Sequence, residues 1–179
     1  MTDQTRESIW EALKFALITI AIVIPVRAYV AQPFIVSGAS MVPTFENGEY
    51  LVIDELSYLF REAKRGEVVI FRYPKDPSKF FIKRVIGLPG ERLELSPAGV
   101  TIISEEGEPF TLAEPYLTTQ SLPTQTVKLA ADEYFVMGDN RAASLDSRAW
   151  GPVETDLIKG RVFLRLLPVS RLALLPGQN

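Results

Sequence analysis

The stretch Phe80-Phe81-Ile82-Lys83-Arg84-Val85-Ile86-Gly87-Leu88-Pro89-Gly90 decides the fold of this chain. Its first part is aromatic and β-branched, the composition of a strand. Its last part is turn material that ends the strand. Alternation puts Phe81, Lys83 and Val85 on one face and Ile82, Arg84 and Ile86 on the other. Charge falls on both faces, so periodicity leaves open which of them is buried. A lysine on the core side is desolvated and its pKa falls. A lysine on the wet face is an ordinary solvated cation.

Working outward, similar short runs recur at 50–53, 67–71, 92–95, 100–103, 134–137 and 161–164. Turn residues separate them, as at Glu46-Asn47-Gly48 and Ser96-Pro97-Ala98-Gly99. Many short strands with frequent turns predict a mainly β, antiparallel body. Residues 103–131 are more polar and carry Pro109, Pro115 and Pro123. They read as a smaller inserted lobe within a β domain made of 32–102 and 132–179. Residues 166–175 are apolar, but Pro168 and Arg171 interrupt them, so no membrane span is expected there.

Before the β body, residues 15–26 carry no charge, and 9–31 has about the length that spans roughly 30 Å of hydrocarbon. Lys14 and Arg27 stand toward its two ends, where such side chains reach the headgroups. Residues 1–31 therefore read as a tail and one N-terminal transmembrane helix. Arg6 and Lys14 precede the apolar core and few basic residues follow it closely, which favours the N-terminus inside. A cleaved signal peptide and a buried core helix are the competing readings of the same residues.

Composition removes whole classes of chemistry. The chain has 179 residues, no histidine and no cysteine. It cannot run a Ser-His-Asp or Cys-His mechanism, form a disulfide or offer the commonest zinc ligands. No metal and no cofactor are expected. The net charge is −3 and its 19 basic residues are scattered, so no nucleic-acid partner is expected. A nucleophilic serine in this chain needs another base, and a desolvated lysine is the strongest candidate.

Ser37-Gly38-Ala39-Ser40-Met41-Val42-Pro43-Thr44 supplies the serine. Small residues before Ser40 let the backbone turn tightly and let a substrate chain approach. By itself, a serine among Gly and Pro is an ordinary turn residue. A third stretch, Met137-Gly138-Asp139-Asn140-Arg141-Ala142-Ala143-Ser144-Leu145-Asp146-Ser147-Arg148, begins with good turn material. Ser144 is a candidate to orient a lysine amine, and Asp146 a candidate partner of Arg84 or Arg148. A solvated loop is the competing reading.

Together the three stretches resemble the type I signal peptidases, membrane-anchored serine proteases that remove signal peptides. The resemblance rests on Ser-Met-x-Pro-Thr at 40–44, on Phe-Ile-Lys-Arg at 81–84 with Gly-Leu-Pro-Gly at 87–90, and on the motif at 138–148. They stand in the family's order after an apolar segment. The resemblance implies Ser40 as nucleophile, Lys83 as general base and Ser144 as the group that positions the lysine. It implies that Gly138, Asp139 and Asn140 shape the site floor and that Asp146, Arg84 and Arg148 brace it. Val36, Met41, Phe45, Ile70 and Ile82 fall at or near positions that accept small substrate residues. Some members carry serine two positions before the nucleophile; this chain has Gly38 there, which leaves Ser37 or backbone donors to complete the oxyanion hole.

The resemblance further implies signal-peptide-bearing preproteins as substrates and a lipid bilayer as partner. It implies a single-pass protein of a bacterial plasma membrane, or a thylakoid membrane, with the catalytic domain on the outer face. Self-cleaving repressors also use a Ser-Lys pair, but a helix-turn-helix module stands where this chain has its apolar segment. Penicillin-recognising enzymes need Ser-x-x-Lys, which this sequence lacks. The remaining reading is an anchored, non-catalytic β-domain.

Overall fold

The aromatic and β-branched runs fold as strands. The computed structural model describes residues 3–25, 32–104, 107–117 and 122–177. Helix α1 (Asp3–Pro25) precedes β1 (Gln32–Ile35) and β2 (Tyr50–Asp54). Strands β3 (Val68–Tyr73) and β4 (Asp76–Gly87) follow. Next come β5 (Arg92–Ser96), β6 (Gly99–Ile103), β7 (Phe110–Thr111) and β8 (Gln125–Lys128). The order closes with β9 (Glu133–Met137), the single-turn α2 (Ser147–Trp150), β10 (Val153–Glu154), β11 (Ile158–Leu167) and β12 (Ala173–Leu174).

Among the described residues these strands form two antiparallel sheets. The larger has the order β1-β2-β11-β3-β4-β9-β10, with β12 paired to β11. The smaller has the order β7-β6-β5-β8. β1 and β4 are far apart in the larger sheet's order, yet the Phe34 and Phe80 rings meet edge to face at 5.4 Å. The sheet therefore curls, and a cleft opens between β1 and the first half of β4.

One apolar cluster lies beneath that cleft and includes Val36, Met41, Phe45, Ile70 and Ile82. A second joins the sheets, with Leu93, Leu95, Val100 and Ile102 packed against Ile86, Phe135 and Met137. A third covers the opposite face with Val69, Phe71, Val85 and Val136. β3 and the second half of β4 are thus buried on both sides. This explains why alternation fails at Lys83 and Arg84: both are buried, on opposite faces.

Two expectations meet a different arrangement. The smaller sheet runs from 92 to 128, so its β5–β6 hairpin lies before the 103–131 lobe read from composition. The apolar alternation of the hairpin resembles that of the main body, and only pairing assigns it to the second sheet. Residues 105–106 and 118–121 of that lobe lie outside the described residues.

At the other end, α1 takes up most of the span read as an anchor, while 26–31 of that span lie outside the described residues. No helix among the described residues is long and apolar enough to cross a membrane.

Candidate active site

Ser40 lies in the turn between β1 and β2, and Lys83 in β4. Chain folding brings them together: Lys83 Nζ lies 2.8 Å from Ser40 Oγ. Nζ also donates to the Ile82 carbonyl at 2.8 Å. Lys83 is 4% exposed. Burial lowers its pKa to about 8, against the opposing pull of the Asp146 and Asp139 carboxylates. A substantial fraction of this amine is therefore neutral near pH 8, which is the form that accepts a proton.

The turn that carries Ser40 is braced from the 138–148 stretch. Asn140 N donates to Ser40 O at 3.0 Å. Thr44 Oγ1 donates to Asp139 Oδ2 at 2.5 Å. Arg84 grips the same carboxylate twice, Nε to Oδ1 at 2.8 Å and Nη2 to Oδ2 at 2.6 Å. This pair is almost wholly buried, so each charge depends on the other. Asp146 pairs with Arg148 through Nε and Nη2, each at 2.8 Å, and accepts from Gly138 N at 3.0 Å. Burial pushes the Asp146 carboxyl up, but Arg148 and the Gly138 N–H outweigh it and lower its pKa.

The expected braces are thus redistributed. Arg84 belongs to Asp139, and Arg148 to Asp146. Ser144 Oγ is buried without a hydrogen-bond partner, so it does not hold Lys83. Its hydroxyl also helps lower the Asp146 carboxyl. Gly138 packs between Ser144 and the backbone of Ser40; a Cβ there would collide with Ser144 Oγ and Ser40 O.

The cleft encloses about 480 Å³, within the usual range of ligand pockets. Phe34, Ile35 and Val36 form one wall, and Phe80 to Lys83 the other. Leu51 and Ile70 form its floor, and Ala143 and Leu145 lie at its end beside Ser40. Of the five residues expected near the substrate, Val36, Ile70 and Ile82 line the cleft. Met41 and Phe45 do not: at 1% and 0% exposure they support it from the core.

Several contributors were not singled out from sequence. Arg141 pairs with Glu114, with Nη1 to Oε2 at 3.0 Å, and donates from Nε to Gly138 O at 3.1 Å. Tyr116 donates to Glu114 at 2.7 Å and places its ring 3.9 Å from the Arg84 guanidinium carbon. Glu114 and Tyr116 come from the polar, proline-marked segment, where nothing local separates them from solvated residues.

Gly38 takes φ 92° and donates its N–H to Asn47 Oδ1 at 2.9 Å. A serine at this position would be strained whatever the free space around it.

Comparison with known proteins places this chain among the serine peptidases. The sequence model of the family "Signal peptidase, peptidase S26" matches residues 9–167. A probable signal peptidase I-2 of Synechocystis sp. is 36% identical over 97% of this chain and 80% of its own. Signal peptidase I of Leptolyngbya laminosa is 36% identical over 90% of this chain and 81% of its own. A solved signal peptidase I of Enterococcus faecalis V583 is 28% identical, with TM-score 0.47 over 57% of this chain and 97% of that one. The chain belongs to the signal peptidase family, peptidase S26, and is a hydrolase of the signal peptidase I kind.

Proposed function

We propose that this chain is a membrane-anchored serine endopeptidase that removes N-terminal signal peptides from exported preproteins, with Ser40 as nucleophile and Lys83 as base. The observation that carries the reading is the 2.8 Å approach of the buried Lys83 amine to the Ser40 hydroxyl at the end of an apolar cleft. Neutral Lys83 takes the Ser40 proton as Oγ attacks the scissile carbonyl. The ammonium then gives its proton to the leaving amine as the C–N bond breaks, leaving an acyl-serine. Lys83 next takes a proton from water as its oxygen attacks the ester carbonyl, then returns that proton to Ser40 Oγ as the C–O bond breaks, releasing the acid product and restoring both groups. The Ser40 N–H donates to the developing oxyanion. The Ile82 carbonyl fixes the amine, a task the sequence reading gave to Ser144.

Substrate binds as an added strand. Residues 76–83 of β4 pair with β3, and β9 takes up the other edge only from Arg84 onward. That edge faces β1 across the cleft. Val36, Ile70 and Ile82 fill the space next to Ser40, which favours small residues at −1 and −3. Apolar exposure of α1 supports anchoring: Phe15, Leu17, Ile18 and Ile20 are all more than half exposed. In this reading 9–31 holds the chain in a bacterial plasma or thylakoid membrane, N-terminus on the cytoplasmic side and the β body outside.

The test is cleavage of a precursor whose signal ends in Ala-x-Ala, with the purified chain in detergent. The expected cut follows the second alanine. Leucine at −1 is expected to lower kcat/KM by about 10- to 200-fold, the cost of oversized groups in a closed pocket. Cutting elsewhere, or equal use of leucine, contradicts the reading.

A further inference from the structure

Residues 165–177 leave the large sheet through β11 and return beneath the turn that follows Ser40. Arg165 Nη2 donates to Thr44 O at 2.6 Å, and Arg171 Nη2 to Pro43 O at 3.3 Å. The buried Glu49 carboxylate holds both guanidiniums, 3.0 Å from Arg165 Nε and 2.8 Å from Arg171 Nη1. Leu175 N then donates to Phe163 O at 2.7 Å, and Leu175 takes φ 47°, a conformation leucine rarely adopts. Such strain persists where the surrounding structure over-determines it. Pro176 is buried, and Gly177 reaches the turn itself.

Gly177 makes two contacts there. Its carbonyl accepts from Arg84 Nη1, on the guanidinium that grips Asp139. Its Cα lies so close to the turn that a Cβ would stand 2.7 Å from Thr44 Cγ2 and 3.2 Å from Phe45 Cε2. Its φ of 78° also disfavours any side chain. Thr44 is therefore held at three points: its hydroxyl by Asp139, its carbonyl by Arg165 and its methyl by Gly177. Phe45 N donates to Met41 O at 2.8 Å, which carries this grip to the residue beside Ser40.

We infer that Gly177 is a positioning residue for the nucleophile: it lies flat against Thr44, accepts from Arg84, and so fixes the turn that holds Ser40 against Lys83. The inference rests on Ser40 being the nucleophile. Gly177 lines no part of the cleft, so it acts on the reaction through Thr44 and Arg84, not through substrate.

The experiment compares Gly177→Ala, Thr44→Ser and the double variant in the full chain, reading kcat, KM, the pH profile and Tm. Gly177→Ala is expected to lower kcat by about tenfold or more, the usual cost of misplacing a reacting atom. KM and the rising limb of the pH profile stay put, because the cleft and the burial of Lys83 are untouched. Thr44→Ser keeps the hydroxyl for Asp139 and removes the methyl that an alanine at 177 would strike. In that background Gly177→Ala is expected to cost little kcat, while Tm falls in both backgrounds from the strained φ. An unchanged kcat, or the same loss in both backgrounds, overturns the inference. Loss of activity in Ser40→Ala beside an indifferent Gly177→Ala sinks the positioning role alone; an active Ser40→Ala sinks the reading beneath it.

Discussion

Ser40→Ala is expected to reduce precursor cleavage to background, a fall of roughly 10⁴- to 10⁶-fold in kcat with binding intact. The variant loses only the hydroxyl. Ser40 O still accepts from Asn140 N, and the turn keeps its grip at Thr44. Substrate should therefore still compete for the cleft, and Ser40→Ala should bind an uncleaved precursor as wild type does. Removing Oγ also leaves the Lys83 amine with the Ile82 carbonyl as its hydrogen-bond partner. Cleavage measured by precursor shift, with binding measured separately, distinguishes a lost nucleophile from a lost fold. Residual cleavage within tenfold of wild type would mean that another group attacks.

Lys83→Met is expected to remove general-base assistance, which is worth about 10²- to 10⁴-fold, and to change stability in a pH-dependent way. The pKa of Lys83 falls from 10.5 to about 8 on folding, chiefly because burial penalises the ammonium. Below pH 8 the wild-type lysine is charged in both states, and the folded state bears the burial cost. Between pH 8 and 10.5 the unfolded chain binds more protons than the folded one, so wild-type stability rises with pH there. Methionine fills similar space and has no charge to bury. Relative to wild type, the variant should lose on the order of 3 kcal/mol of advantage between pH 7 and 10.5. The two lost hydrogen bonds offset part of the advantage at every pH without changing that trend. Denaturant unfolding at several pH values reads it. A difference independent of pH would mean that Lys83 is not desolvated in the folded state.

The β architecture was legible because its signal is local: short apolar runs punctuated by Gly, Pro and Asn mark most of the strands. β1 and β8 escaped because Gln32–Ile35 and Gln125–Lys128 are brief and partly polar. The approach of Lys83 to Ser40 was not legible from strand periodicity, since β4 is buried on both faces and alternation then carries no information. Only the joint pattern of the three motifs pointed to it.

Pairings were harder to read than positions. Two arginines and two aspartates admit either match, and only the register of β4 against β9 puts Arg84 opposite Met137, next to the turn that carries Asp139. The pocket positions divided similarly. Met41 and Phe45 are apolar and near Ser40 in sequence, but the turn between Met41 and Phe45 points them into the core. Arg165, Arg171 and Gly177 were invisible as partners of the nucleophile turn, because more than a hundred residues of chain separate them from Thr44.

The most direct measurement of the account is the pH dependence of kcat/KM for precursor cleavage. Lys83 acts as a base only when neutral, and burial sets its pKa at about 8. The expected profile rises tenfold per pH unit below about 8 and levels off above it. A flat profile, or one that peaks in acid, would contradict Lys83 as the base that activates Ser40.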